Sequence, residues 1–239
     1  MIKKNLNQNT NYLRKLKNII EPDFIFSNKP INRIIPTKYS KDYKHKEKEG
    51  LLKHLKDKII SIENCNLKKN NKNLILGEGN FDSQLMVIGE APGEIEEKIG
   101  LPFQGEAGTL LDKMLIAINI DRKKIYTTYV VNFRPPEDRK PTVQEIKRYS
   151  SFLKEHISII DPKIIILMGA TAMDAVTGLK NNLSNERGKW KETIFKSKTI
   201  PIMITYSPSY LIRYPENKKY SWADLKKIQK KIKDLNIEI

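Results

Sequence analysis

Cysteine is almost missing from this 239-residue chain: Cys65 stands alone, so no internal disulfide can form and a reducing, cytoplasmic setting is expected. Long apolar runs are missing too. Nothing approaches the roughly 18 consecutive apolar residues of a membrane-spanning helix, and the opening Met1–Asn5 lacks the apolar stretch of a secretory signal. Arginine is scarce, supplying eight of the 44 basic residues. The three histidines, His45, His54 and His156, lie away from every motif described below. His156 borders an apolar helical stripe and is expected to be structural. What remains is a soluble globular composition, 39% hydrophobic and 30% charged, long enough to bury a real core. A net charge of +16 points to a polyanionic partner, since Lys and Arg that neutralise phosphates release counterions. The abundance of Lys, Asn and Ile would also follow from an AT-rich coding sequence, so the motifs must decide.

Residues 1–48 are polar and basic without a sustained period and read as a partly flexible N-terminal extension; residues 49–239 read as the main domain. Within the extension, Tyr12, Leu13, Leu16, Ile19 and Ile20 fit one short helix, and Lys38–Glu49 reads as a linker or solvated face. Leu51, Leu52, Leu55, Ile59 and Ile60 then mark an amphipathic helix. From Leu85 onward strands alternate with helices, which indicates a parallel α/β sheet. The strand candidates are Leu85–Gly89, Ile125–Val131, Ile164–Met168 and Ile202–Thr205. Leu110 to Ile118 marks a first crossover helix, and Thr142 and Glu145 form a capping box opening the second. Gly169 starts a third, and Ser221 to Asp224 is read as capping the last.

Residues 85–112, LMVIGEAPGEIEEKIGLPFQGEAGTLLD, carry the most information. An apolar strand runs into a Gly-Glu-Ala-Pro-Gly turn, where Gly89 and Gly93 let backbone approach a ligand closely. The amides around Glu90 and Ala91 suit a flat polar ligand, and Phe103, fixed by Pro102, suits stacking. Three further segments follow: Asn132-Phe133-Arg134-Pro135-Pro136 with Arg139 and Pro141, then Arg187-Gly188-Lys189-Trp190, then Thr205 through Arg213. In order and spacing, roughly over residues 62–235, these resemble the active-site motifs of the type-4 uracil-DNA glycosylases.

The resemblance implies a three-layer α/β/α fold around a four-stranded parallel sheet. It also implies a monofunctional uracil-DNA glycosylase that starts base-excision repair, acting as a monomer on uracil-containing DNA with no membrane partner. Such an enzyme flips the nucleotide out of the duplex. Gly89, Glu90, Ala91, Phe103, Tyr129 and Ser207 would then line the base pocket. Glu90, and next Glu96, would supply charge near a developing oxocarbenium or position water; Glu97 stands where the family has Asp. Arg134, Pro208, Ser209, Leu211 and Arg213 would contact DNA, with Leu211 or Ile212 wedged into the vacated stack.

Three departures from the family pattern matter. Ser207 replaces the His that stabilises the departing base anion. Tyr129 replaces the Asn that pairs with uracil; it could bond O4, crowd C5 or obstruct the pocket. The four Cys ligands of the family's [4Fe-4S] cluster fall on Ile62, Cys65, Phe133 and Tyr149, of which one is Cys, so no cluster or other cofactor is expected. Apolar and aromatic packing is expected to fill that volume, with Cys65 an inert buried thiol. Two other readings stay open: a non-catalytic DNA-binding relative, and a glycosylase shifted to another deaminated base.

Overall fold

Runs of Ile, Leu, Val and Met set the centre of the sheet. In the computed structural model, which describes residues 37–69, 73–196 and 198–238, β2 (Leu85–Gly89) and β4 (Ile164–Met168) are buried at every position. Strands covered on both faces need apolar residues throughout. β3 (Tyr126–Tyr129) and β6 (Lys198–Thr205) lie on either side of this pair. The order is β1-β3-β2-β4-β6-β5, with β3, β2, β4 and β6 mutually parallel. Register is carried by pairs such as Ile88 with Thr128 and Ile88 with Leu167.

The expected four-stranded parallel sheet is therefore incomplete. The sheet is mixed and has six strands, because β1 (Gly77–Gly79) adds antiparallel to β3 and β5 (Trp190–Phe195) adds antiparallel to β6. Both additions lack an apolar run. β1 is Gly-Glu-Gly, and β5 is only half-buried, as edge strands can be.

Two cores separate the layers. Met86, Ile88, Ile165 and Leu167 face one core. Its helical residues include Leu52, Leu55 and Ile59 of α1 (Thr37–Ile60) and Tyr149, Leu153 and Ile157 of α5 (Val143–Ile160). Leu85, Val87, Ile164 and Ile166 face the other. There they meet Leu111 and Leu115 of α4 (Gly105–Ile116) and Leu225 and Ile228 of α9 (Lys218–Asp234). The period-two alternation of each strand thus feeds two helical layers. Five shorter α-helices lie among the described residues: α2 (Asn66–Lys69), α3 (Glu94–Ile99), α6 (Ala170–Thr177), α7 (Leu183–Glu186) and α8 (Pro208–Arg213), which precedes α9.

Local signals explain several boundaries. Thr142 Oγ1 accepts from Glu145 N at 3.2 Å, and Glu145 accepts back from Thr142 N at 2.7 Å, so the capping box at α5 forms as expected. Arg139 grips the same carboxylate with bonds of 2.8 and 2.7 Å, which holds Glu145 below the usual carboxylate range. Two expectations need correction. The Lys38–Glu49 run is helical, not a linker, though from Lys44 onward it is the largely solvated face that was the other reading, and α1 passes through the boundary placed at residue 48. Lys48 anchors it, donating to the carbonyls of Phe81 at 3.0 Å and Ile160 at 2.9 Å. Ser221 to Asp224 does not cap the last helix, which begins at Lys218. Asp224 is fully buried, bonded to Thr205 Oγ1 at 2.9 Å and ion-paired with Arg187, so it pins α9 to β6. The short helix expected at Tyr12 to Ile20 lies outside the described residues, as does nearly all of a separate unit, residues 1–41.

His156 is structural, as its place beside the apolar stripe of α5 suggested. It is 2% exposed, its Nε2 lies 2.9 Å from Tyr126 Oη, and burial pushes its pKa down to about 3. The unfolded chain takes up this proton near pH 6.5 while the fold refuses it, so acid favours unfolding. Stability should fall by about 1.4 kcal/mol per pH unit from this group as pH drops from roughly 6.5 towards 3. Urea unfolding of the wild type and His156→Gln across this range checks it: the variant should show the shallower decline.

Candidate active site

All four parallel strands end on the same side, at Gly89, Tyr129, Met168 and Thr205. Ligands of open α/β sheets bind beyond these carboxyl ends. A cleft of about 490 Å³ opens there, lined by the Gly89–Glu96 loop, Phe103, Gln104, Tyr129, Lys140 and the start of α8. The structure thus gathers Gly89, Glu90, Ala91, Glu96, Phe103, Tyr129, Ser207, Pro208, Ser209 and Arg213 around one space.

Phe103 is the most constrained of these residues. Its φ of +51° lies in the left-handed region, a costly setting for a bulky side chain that persists only when its surroundings enforce it. The surroundings do so. Its N–H donates to Tyr129 Oη at 2.9 Å, and its carbonyl accepts from Arg122 Nη1 at 2.7 Å. Arg122 also donates to Pro102 O and pairs with Glu78 at 3.2 Å and Asp112 at 3.4 Å. Gly108 is required beside it, since a Cβ there would lie 1.9 Å from Phe103 O. The Phe103 and Tyr129 rings sit 4.8 Å apart, tilted by 32°, over Gly89, where any Cβ would strike both at 2.7 Å. Phe103 is 4% and Tyr129 5% exposed, so the pair forms an apolar wall of the cleft.

Tyr129 therefore spends its hydroxyl inside the protein. It accepts from Phe103 N and donates to Glu96 Oε1 at 3.2 Å. Glu96 is buried and fully employed: Oε2 accepts from Gly93 N and Oε1 from Gln104 N, both at 3.0 Å. These bonds tie the first loop to the Phe103 turn.

Glu90 differs. Its Oε1 accepts from Thr171 N at 2.9 Å at the start of α6, and its side chain fits only because Gly169, at φ +104°, has no Cβ. A helix N-terminus favours an anion there. Oε2 has no hydrogen-bond donor among the described residues, and Glu90 lines the cleft. The amides of Glu90 and Ala91 have no acceptor among the described residues. Ser207 caps α8, its oxygen accepting from Tyr210 N at 3.4 Å. A hydroxyl that accepts still has a proton to donate, and that proton has no acceptor among the described residues.

Two residues expected to contact DNA are engaged within the protein. Leu211 is 1% exposed in the core beneath α4 and α9, so it is an anchor for α8 and not a free wedge. The apolar side chain at that point of the motif fits the core equally well, which is why the sequence did not distinguish the two. Arg134 is held by Asp138 at 2.7 Å and Glu97 at 3.2 Å, which raises its pKa and neutralises its charge. Arg213 is exposed, with one bond, Nε to Ser209 O at 3.4 Å, and Lys140 Nζ has no partner among the described residues. Lys140, Gln104 and Arg122 were not singled out by the sequence. Arg122 lies in a polar Asp-Arg-Lys-Lys turn that reads as solvated surface, and only its hydrogen bonds disclose its role.

The four positions aligned with the family's cluster ligands do converge. Ile62, Cys65, Phe133 and Tyr149 share one core, with Cys65 Sγ 3.4 Å from Tyr149 Oη. Cys65 is buried, and burial pushes the Tyr149 phenol upward. A larger depression of about 1000 Å³ lies around Arg122. Its lining includes Glu78, Asp112 and Asp121, and two of these carboxylates already neutralise Arg122, so it does not suit a polyanion.

Tyr129→Phe should keep the ring but strand Phe103 N without its acceptor. The expected loss is about 1–3 kcal/mol in denaturant unfolding at unchanged m-value. Arg122→Ala should destabilise by at least as much, since two carbonyls lose their donor; wild-type stability in either variant would refute this network.

A profile of the uracil DNA glycosylase superfamily matches residues 76–229. The type-4 uracil-DNA glycosylase of Thermotoga maritima is 38% identical over 171 residues, covering 71% of this chain and 88% of the relative. That of Sulfurisphaera tokodaii is 36% identical over 186 residues, covering 74% and 83%. That of Archaeoglobus fulgidus is 32% identical over 174 residues, covering 71% and 87%. With a matching profile over most of its length and relatives of this similarity, the chain belongs to the uracil DNA glycosylase superfamily.

Proposed function

We propose that this protein is a uracil-DNA glycosylase that hydrolyses the N-glycosidic bond of deoxyuridine flipped out of DNA and so initiates base-excision repair. One observation carries the reading most. Unspent polar groups, the Glu90 and Ala91 amides and the Ser207 hydroxyl, converge with an aromatic wall on one cleft whose rim holds Lys140 and Arg213. In this reading the base lies against the Phe103 ring, backed by Tyr129. As the N1–C1′ bond breaks, its electron pair passes to the base, and the two amides and Ser207 stabilise that anion. Water adds to C1′, held by the open oxygen of Glu90, whose charge also offsets the oxocarbenium, and the proton that the water gives up neutralises the departed base anion. The products are free uracil and an abasic site, with no lyase step. Pro208, Ser209, Arg213 and Lys140 would hold the phosphates. Among the described residues no helix is long and apolar enough to cross a membrane; a cytoplasmic monomer is our reading.

The residues at the cluster positions do not fit a [4Fe-4S] centre. A cluster needs four thiolates, and Cys65 alone bears one, its sulfur packed against Tyr149. Substoichiometric iron is expected in purified protein; a stoichiometric cluster with broad visible absorption would overturn this.

The commitment of the Tyr129 hydroxyl to Phe103 and Glu96 favours one variation on this function. No side-chain amide at that position reads the edge of the base, so backbone amides would set specificity, and another deaminated base is the second reading. The assay uses uracil, hypoxanthine and xanthine oligonucleotides, with alkali cleavage of abasic sites. Uracil release is expected. Phe103→Ala should abolish release while salt-sensitive DNA binding persists. Ser207→Ala should slow release by about 10²–10³-fold, beyond any loss of helix capping. DNA binding without release from any substrate would leave a non-catalytic relative.

A further inference from the structure

Turning a nucleotide out of a duplex breaks its stacking and pairing, and proteins offset that cost by placing an apolar side chain between the bases left behind. Leu211 is not free to do so, since it is buried as the anchor of α8. Ile212 is half-buried and is not among the residues lining the cleft. The exposed apolar side chains at the cleft belong to the first motif instead. Ile95 of α3 lines the cleft and is 47% exposed. Ile99, one turn further along the same helix face, is exposed as well, and so is Leu101 just beyond the C-cap Gly100. The helix that carries them is held firmly. Glu96 is buried beneath it with its three donors, Gly100 N donates to Glu96 O at 2.7 Å, and Asn73 Nδ2 donates to Glu97 O at 2.8 Å. Ile95 itself is seated over Gly105, where a Cβ would lie 2.6 Å from its Cδ1.

The charges around the cleft say which part of DNA meets this face. On α3 they are balanced, because Glu94 pairs with Lys98 and Glu97 with Arg134 at 3.2 Å. Glu106, next to Gly105 in the chain, is exposed, lines the cleft and forms no ion pair among the described residues. Lys140 and Arg213 lie apart from it, where the cleft adjoins a smaller cavity whose lining includes neither Ile95 nor Glu106, and there they outnumber the Glu90 carboxylate. Phosphates are therefore drawn to the side of Lys140 and Arg213 and repelled from the side of Ile95 and Glu106. The uncharged faces of unstacked bases suit the Ile95 side. We infer that Ile95 enters the stack vacated by the flipped nucleotide, with Ile99 and Leu101 extending the apolar surface beside it. This rests on the reading of the cleft as the uracil pocket, and the device serves uracil in duplex DNA.

The test uses the full chain, a duplex with one uracil opposite guanine, and the same uracil strand alone. In the single strand no pair is opened, so filling the gap matters least there. Ile95→Ala removes three carbons of a half-exposed side chain, and its kcat/KM should fall about tenfold more on the duplex than on the single strand. Ile95→Leu should restore most of the duplex rate, and Ile212→Ala should show no such difference. A general structural defect would slow both substrates alike. Should Ile95→Ala not fold, Ile95→Thr, which keeps the branched shape but brings a hydroxyl, carries the same comparison. Equal losses on both substrates, or a duplex-specific loss in Ile212→Ala instead, overturn the assignment and leave the proposed activity standing. Where the wild type releases uracil from neither substrate, the activity itself fails. In that case, or with release from the single strand alone, Ile95 is judged by fluorescence anisotropy on duplexes with and without one baseless tetrahydrofuran residue. About tenfold tighter binding of the baseless duplex, lost in Ile95→Ala, supports the assignment; no preference, or one kept in the variant, overturns it.

Discussion

The buried carboxylate of Glu96 accepts from three donors on three segments: the Gly93 amide, the Gln104 amide and the Tyr129 hydroxyl. Each donor left unsatisfied in a buried setting would cost about 1–3 kcal/mol. Through Tyr129 the network reaches the Phe103 amide, and Arg122 closes it at the carbonyl of the same residue. The left-handed turn at Phe103 thus depends on partners that are distant in the chain. Strain held in this way gives the aromatic wall one position before any ligand arrives, and a preorganised wall loses less entropy on binding.

The charges are arranged by the same logic. A chain of net charge +16 has many cations, but most of the described arginines are ion-paired with carboxylates. Arg134 and Arg139 organise the loop after β3, and Arg187 fastens α9 to the sheet. Lys140 and Arg213 stand apart from these pairings at the mouth of the cleft.

A core can change its means of cohesion while keeping its geometry. Ile62, Cys65, Phe133 and Tyr149 come from three separate segments and still meet. Dispersion and burial among these side chains supply contacts across the α1–α5 face, as volume-conserving cores allow. The thiol of Cys65 and the hydroxyl of Tyr149 satisfy one another within this apolar setting.

Much of the fold was legible in the sequence because its signals are local. The apolar runs at Leu85 and Ile164, the capping box at Thr142 and the glycine-bounded turns fix elements without reference to the rest of the chain. The edge strands were not legible, since Gly77–Gly79 has no pattern of its own and pairs only because β3 offers an open edge. The membership of the site was also legible, as the motifs named most residues that line the cleft. Their duties were not. Whether Glu96 faces solvent or three donors, whether Leu211 wedges or anchors, and whether the Tyr129 hydroxyl points at a base or at Phe103 depend on neighbours tens of residues away. Sequence by itself determined which side chains arrive at the ends of the parallel strands, because strand and turn propensities act over a few residues. Tertiary structure alone decided which of their polar atoms remain unspent, because a hydrogen bond is claimed by whichever partner the fold brings within about 3 Å.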